Sequence, residues 1–531
     1  MRRARPRADP RLPRHLDTDP DPDSPGDAPM TGLLLAGTTS DAGKSLLTAG
    51  ICRWLVRRGV RVAPFKSQNM SNNSMVCPDG AEIGRAQWVQ AVAARVVPEA
   101  AMNPVLLKPG SDRRSHVVLL GQPHGELGTG EWATGRRELA RAAFAAYEDL
   151  ASRFDVVVAE GAGSAAEVNL RSGDYVNLGL ARAMGLPVVV VGDIDRGGVL
   201  AAMYGTWALV DEADRAHFAG WIVNKFRGDV DLLRPGLEIV TERTGLPVLG
   251  VVPWLEGAWL DGEDALALGG WSRAVDAHEA AAGTLRVAVV GLPRLSNATD
   301  VDALAAEPGV DVTVTADPAV VAGADLAVLP GSRATLSDLR WLRERGLDEA
   351  VAARARRGAP VLGICGGYQM LAERIVDPSG VEAAGGERES AGLGLLPTRV
   401  DFGEEKVLGT PVGAWHGHEV RAYEIHHGVA SLVADATSDD GRDDGFRESV
   451  APFLDGWQQG ATYGTTWHGA FENDDFRRAF LTEVAHRSGS GFEVSTSAPG
   501  FAARREAMIE RLGDAVEEHL DTDALLALLG L

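Results

Sequence analysis

Cys365 stands in the run Val361-Leu-Gly-Ile-Cys-Gly-Gly-Tyr-Gln-Met370, where an apolar stretch meets glycines and then an apolar pattern at helical spacing. That order reads as strand, tight turn, helix. Glycines at 363, 366 and 367 let the backbone take a strained turn that lifts the sulfur to the strand tip. There the next helix's N-terminus favours thiolate, and nearby N–H groups, with Gly366 among the candidates, can hold an oxyanion. The competing reading is that Cys365 is a small buried hydrophobe, the common fate of a lone cysteine in a reducing compartment.

A thiolate that attacks an amide needs a base to take and return a proton, and histidine titrates in the right range. Two histidines qualify. His468, in Thr462-Tyr-Gly-Thr-Thr-Trp-His-Gly469, follows a β-rich run and precedes a glycine, which suits a base at a strand end. His426, in Tyr423-Glu-Ile-His-His-Gly428, is the rival.

A second chemistry is written near the start of the chain. From Thr31 a short apolar strand runs into Gly37-Thr38-Thr39-Ser40-Asp41-Ala42-Gly43-Lys44-Ser45, and Leu46, Leu47, Ile51 and Leu55 follow at helical spacing. In such a loop, residues 38–45 cradle phosphate with backbone N–H groups and the helix N-terminus. Lys44 then reaches the terminal phosphates, and the Ser45 hydroxyl can ligate Mg²⁺. The first glycine of the usual pattern falls on Thr38, with Gly37 one residue early, so the strict motif is missed. Glu160, at the tip of the apolar run Phe154–Ala159, is placed to help hold Mg²⁺ beside Ser45; its alternative is an ordinary solvated carboxylate. Asp193 and Asp195 are weaker candidates for that task.

These two chemistries need two platforms. At 531 residues the chain is too long for one ordinary core. Apolar runs at Val60–Pro64, Phe154–Ala159, Pro187–Val191, Gly220–Val223 and Leu246–Val252 alternate with helical patterns, and a second series starts at Leu285–Val290. The expected fold class is α/β, two domains each built on a largely parallel sheet, with ligands at the carboxyl ends of the strands. The divisions expected are a disordered tail over 1–29, an ATP-using domain over 30–254, a linker over 255–284, a second domain over 285–485 and a helical extension over 486–531. Thr437–Gly460 is acidic and glycine-rich and reads as a surface loop. Phe501, Met508, Ile509, Leu512, Val516 and Leu520 read as one amphipathic helix packed on the second domain.

The formal net charge of −22 argues against nucleic acid as the main partner, because phosphate backbones need a basic face. Cys52, Cys77 and Cys365 lack metal-ligand spacing and form no disulfide framework, which fits a reducing cytoplasm. No apolar run reaches the length of a membrane span, and residues 1–29, rich in Arg, Pro and Asp, hold no signal-peptide core. The fold is expected to begin close to Met30, a candidate translation start.

Three resemblances connect these readings. The pattern Gly-x-Cys-x-Gly-x-Gln over 363–369 resembles the class I glutamine amidotransferases, in which the cysteine attacks the side-chain amide of glutamine and releases ammonia. The phosphate loop resembles the dethiobiotin-synthetase-like P-loop branch, whose members use ATP to activate a carboxylate. Phe65-Lys-Ser-Gln-Asn-Met-Ser-Asn-Asn-Ser74, Glu82-Ile-Gly-Arg-Ala-Gln87, Met102-Asn-Pro-Val-Leu-Leu-Lys-Pro109, Glu160-Gly-Ala-Gly-Ser164, Asp193-Ile-Asp-Arg-Gly-Gly198 and Asn224-Lys-Phe-Arg-Gly-Asp229 resemble, in order, the signatures of the cobyric acid synthase family. The likeness runs from about Thr31 to His468.

These resemblances, rather than any spacing, imply that His468 is the base and that Gly331 of Pro330-Gly-Ser-Arg333 joins Gly366 in the oxyanion hole. Many class I relatives carry a glutamate two residues after the histidine. Here that position is Ala470, so the third member is either Glu472 or absent. The implied activity is ATP- and glutamine-dependent amidation of the b, d, e and g carboxylates of adenosylcobyrinic acid a,c-diamide, with ATP and Mg²⁺ as cofactors. The implied partners are a corrinoid polycarboxylate and glutamine, in the cytoplasm, with an internal ammonia passage between the domains. Two other readings stand beside it: a cobyrinic acid a,c-diamide synthase, and a P-loop switch ATPase with an inactive amidotransferase-like binding domain.

Overall fold

Gly32-Leu-Leu-Leu-Ala-Gly37 is buried at every position, as expected of a central parallel strand covered by helices on both faces. The computed structural model of the protein, which describes residues 31–111, 114–128, 132–259, 261, 283–382, 388–433 and 449–531, places this strand inside a six-stranded sheet. The order across that sheet is Val248–Pro253, Phe218–Phe226, Val188–Asp193, Gly32–Gly37, Val156–Glu160 and Val62–Phe65, and all five pairings are parallel. The chain therefore leaves Gly32–Gly37 for one edge and returns to its other side. That arrangement opens a crevice at the carboxyl ends, where the phosphate loop lies.

The second sheet has seven strands, in the order Val310–Thr315, Leu285–Val290, Leu326–Leu329, Val361–Ile364, Thr462–Thr465, Gly456–Gln459 and Val450–Phe453. The first five run parallel and the last two antiparallel. The protein is thus a two-domain α/β molecule with a P-loop sheet and an amidotransferase-like sheet. No helix among the described residues is long and apolar enough to cross a membrane.

Two expectations change. Thr437–Gly460 is not a loop throughout: Val450–Phe453 and Gly456–Gln459 form the antiparallel edge of the second sheet, and 434–448 lie outside the described residues. Tail residues 1–29 and linker residues 262–282 also lie outside them.

The C-terminal helix Phe501–His519 packs mainly on the other domain from the one expected. Ile509, Leu512 and Val516 share a core with Leu47, Ile51 and Leu55 of the phosphate-loop helix Lys44–Arg57. Gly50 makes this approach close, since a Cβ there would sit 2.7 Å from the Leu512 carbonyl oxygen. Beside the apolar seam Arg53 binds Glu506 and Glu510. An amphipathic stripe reports that a helix is covered, but not by which partner.

The halves meet through specific hydrogen bonds. The Ser74 N–H donates to Asn297 Oδ1 at 2.9 Å, and the Ala298 N–H donates to Asn73 Oδ1 at 3.0 Å. Glu82 is fully buried between Lys108 of its own half and Lys406 of the other. Both lysines hold its carboxyl well below the usual carboxylate range, against the opposing effect of burial.

Candidate active site

The phosphate loop closes on itself through its lysine. Lys44 Nζ donates to the carbonyls of Thr39 at 3.0 Å and Gly163 at 3.2 Å. A Cβ on Gly37 would lie 2.8 Å from Lys44 Nζ, so the glycine that comes one residue early makes room for the lysine. Thr38 continues the strand, its N–H donating to Val191 O at 2.9 Å. Asp41 and Gly43 take positive φ, 55° and 86°. Asn224 donates to Ala42 O at 2.8 Å and leaves no space for a Cβ at Gly43. The helix Lys44–Arg57 has no side-chain cap, which leaves its first N–H groups for an anion.

Glu160 is not a solvated loop carboxylate. It is 1 % exposed; Oε1 accepts from Ser45 Oγ at 2.7 Å and from Lys66 Nζ at 2.5 Å, and Oε2 accepts from Gln90 Nε2 at 2.6 Å. Burial raises its pKa, but Lys66, Gln90 and Ser45 outweigh that and hold it below the ordinary value. A hydroxyl and a carboxylate 2.7 Å apart at a phosphate loop fit a Mg²⁺ site whose other ligands are phosphate and water, and the buried, unpartnered Gln90 Oε1 adds an oxygen beside them. The neighbouring cavity, about 450 Å³, is lined by Ser40, Lys44, Lys66, Glu160 and Ser164 among others. Asp193 is committed elsewhere, to Lys225 at 2.9 Å, and Asp195 pairs with Arg227.

In the second domain Cys365 takes φ 48° and ψ −110°, a strained conformation for a residue with a side chain, between the strand Val361–Ile364 and the helix Gly366–Leu371. The turn is packed so that only glycine fits: a Cβ on Gly366 would lie 2.7 Å from the Ser332 nitrogen, and one on Gly367 1.9 Å from Leu329 O. Gly331 is equally confined, 2.6 Å from Ser296 O and 3.1 Å from His468 Cε1 by the same measure. The structure therefore brings Gly331, Gly366, Cys365 and His468 into one buried place.

His468 is fully buried, its Nε2 has no hydrogen-bond partner, and its Nδ1 lies 2.7 Å from Asp300 Oδ2. The other Asp300 oxygen accepts from the Gly469 N–H at 2.6 Å. Burial alone would lower the imidazole pKa, but the charges of Asp300 and Cys365 and the contact with Asp300 overcome it and push His468 up to about 10.

Asp300 is the residue the sequence reading missed. Its signal was present as a polar cluster at the carboxyl end of Leu285–Val290, but it lies 168 positions from His468. Glu472 is not the partner of His468: it binds Arg85 at 2.5 Å and Arg505 at 2.7 Å. His426 Nδ1 lies 2.9 Å from Gly428 O, and Glu424 stands 3.5 Å from its Nε2 without hydrogen-bonding it, so it has no hydrogen-bonded carboxylate of the kind His468 has.

The Val361–Ile364 elbow and the phosphate loop both have counterparts in known proteins. Residues 33–264 match the family described as CobQ/CobB/MinD/ParA nucleotide binding domain. Residues 286–476 match the CobB/CobQ-like glutamine amidotransferase domain. A cobyric acid synthase of Cutibacterium acnes is 58 % identical over 500 residues, covering 94 % of this chain and 100 % of that one. The chain belongs to the cobyric acid synthase family. Cobyric acid synthases of Mycolicibacterium gilvum and Mycobacterium tuberculosis are 57 % and 56 % identical, each over 94 % of this chain and over 96 % and 97 % of theirs. As a member of the cobyric acid synthase family the chain joins an amidotransferase half to a nucleotide-binding half in cobalamin biosynthesis.

Proposed function

We propose that the protein amidates the b, d, e and g carboxylates of adenosylcobyrinic acid a,c-diamide in turn, using ATP and glutamine. The observation that carries an amidoligase reading is that a Cys365–His468–Asp300 set and a Lys44–Ser45–Glu160 set stand on one chain, joined by hydrogen bonds between Asn73, Ser74, Asn297 and Ala298. The choice of corrinoid rests on the whole-length relatives.

Cys365 Sγ attacks the side-chain carbonyl carbon of glutamine, with negative charge collecting on the oxygen near Gly331 and Gly366. His468, held by Asp300, hands the sulfur's proton to the departing nitrogen, and ammonia leaves a thioester that water converts to glutamate. Across the interface the γ-phosphoryl group of ATP passes to a substrate carboxylate, giving ADP and an acyl phosphate. Lys44 offsets the charge of the transferring group. Ammonia adds to the acyl carbon, phosphate leaves, and an amide remains. Mg²⁺ held by Ser45 and Glu160 with the ATP phosphates would screen phosphate charge. Residues 30–254 and 285–485 are the proposed bodies of the two halves.

The test is incubation of purified protein with ATP, glutamine and either cobyrinic acid or its adenosylated a,c-diamide, counting added amides by mass. Four amides on the a,c-diamide are expected. Two amides on cobyrinic acid, with the a,c-diamide left untouched, would reassign the chain to the a,c-diamide synthase reaction.

A further inference from the structure

Helix Arg85–Ala93 carries three polar side chains that are fully buried, Arg85, Gln87 and Gln90, and each reaches a different place. Gln90 Nε2 donates to Glu160 Oε2 at 2.6 Å and approaches the Ser45 carbonyl at 3.4 Å, beside the phosphate loop. Gln87 Oε1 accepts from Asn69 Nδ2 at 2.9 Å, on the wall of the 450 Å³ cavity. Arg85, roughly 7.5 Å further along the axis at 1.5 Å per residue, leaves its own half. It donates to Asp261 Oδ2 at 2.7 Å and to Glu472 Oε1 at 2.5 Å.

Arg505, from the C-terminal helix, binds the same two acids from the other side, at 2.6 and 2.7 Å. Two guanidinium groups and two carboxylates therefore close a ring. Glu472 is its member nearest the chemistry. The Glu472 N–H donates to Gly469 O at 3.0 Å, the Gly469 N–H donates to Asp300 Oδ1, and Asp300 Oδ2 holds His468.

We propose that Arg85, a residue of the nucleotide-binding half, is a positioning residue of the glutamine-hydrolysing triad, acting through Glu472 on the turn that seats Asp300 and His468. This rests on the hydrolytic role proposed for that triad. A buried ring of charges is a poor stabiliser compared with apolar packing, and Arg85 Nε is left buried without a hydrogen-bond partner. Stability alone is therefore a weak reason for the arrangement, whereas its position at the triad's supporting turn gives it a catalytic consequence. Placing Arg85 on a helix anchored at Glu160 makes competence for hydrolysis depend on the seating of one half against the other.

The groups around the triad define what the loss of Arg85 disturbs. Facing this cluster are Asp261, Glu472 and Arg505 in the ring, Asp300 and Asp302 on the segment Thr299–Ala305, and His468 and Tyr423, which stack at 5.4 Å. Desolvation, with Asp261 and Glu472 adding to it, drives the Asp302 carboxyl toward its neutral form; Arg85 acts in the opposite direction. Without Arg85, one guanidinium remains against Asp261, Glu472 and Asp300. The Glu472 carboxylate then loses one of the two cations that fix it, and the Gly469 turn that seats Asp300 and His468 loses that anchor.

The experiment compares full-length wild type, Arg85→Met and Arg85→Lys. Steady-state kcat and KM for glutamine hydrolysis are measured, ammonium-supported amidation is measured alongside, and folding is checked by circular dichroism and thermal melting. In Arg85→Met, kcat for hydrolysis is expected to fall about tenfold or more with KM within about twofold. Arg85→Lys recovers part of the lost kcat, and ammonium-supported amidation stays within about twofold in each variant. An unchanged kcat overturns the proposal, as does an equal loss of hydrolysis and ammonium-supported amidation, which marks the ring as structural glue. Should Arg85→Met not fold, Arg85→Lys and Glu472→Gln carry the same test with the same criteria. A wild type that neither hydrolyses glutamine nor amidates with ammonium defeats the functional reading itself; a working wild type with unaffected variants defeats only this proposal.

Discussion

Nδ1 of His468 lies 2.7 Å from Oδ2 of Asp300, and both side chains are buried. The carboxylate fixes which ring nitrogen carries the proton and leaves Nε2 to serve Cys365. Asp300→Asn keeps the shape but donates where the wild type accepts, so glutamine hydrolysis is expected to fall by a factor of about 10² to 10⁴. Ammonium-supported amidation remains near the wild-type rate. Hydrolysis within a few-fold of wild type in Asp300→Asn would show that the imidazole does not need this acid.

Separate sites predict separable losses. Cys365→Ser removes the proposed nucleophile and is expected to abolish glutamine-supported amidation while ammonium salts still drive the reaction. Lys44→Ala removes the cation proposed to face the transferring phosphoryl group, so neither nitrogen source is expected to work. Steady-state rates of ADP release and amide formation with each nitrogen source provide the check. Loss of the ammonium reaction in a well-folded Cys365→Ser protein contradicts the division of labour.

The features legible before the structure were local in the chain. The Gly37–Ser45 loop and the Gly363–Gly367 elbow announce themselves because strand, glycine turn and helix adjoin one another within a few residues, and the turn geometry restricts side chains at fixed offsets. The features that escaped were long-range. Asp300 meets His468 only because Leu285–Val290 and Thr462–Thr465 are strands of one parallel sheet, and no spacing rule encodes that. The C-terminal helix carries an apolar stripe that does not name its partner, and proximity in sequence makes Glu472 only one option for a third member, whereas its carboxylate faces Arg85 and Arg505. The acidic text of 437–448 masks the two strands that follow it, Val450–Phe453 and Gly456–Gln459, because each is only four residues long and too short to show an alternation of its own.

Glu160 is expected to be costly to neutralise. Glu160→Gln leaves Lys66 in a buried site without its anion, a change of about 3–5 kcal/mol when one partner of a buried pair is removed. A lower melting temperature is expected, together with weaker Mg²⁺ dependence of ATP turnover. Unchanged melting and an unchanged Mg²⁺ titration would return Glu160 to the status of a bystander.

The buried Glu82 makes seating of the two halves acid-sensitive. Its carboxyl is held below the ordinary value by Lys108 and Lys406 despite burial, so the ionised form is the one folding favours. A depressed carboxylate contributes stability that is complete above its unfolded pKa of about 4.3 and is lost as pH falls through the lower folded value. Wild type is therefore expected to melt well above Glu82→Gln at pH 7, and the gap is expected to narrow progressively below about pH 4.5. The variant also leaves Lys108 and Lys406 facing each other without their shared anion, so its loss at neutral pH should be relieved by Lys406→Met in the same chain. Parallel melting curves for wild type and Glu82→Gln from pH 7 to pH 3.5 would show that this carboxylate does not hold the halves together.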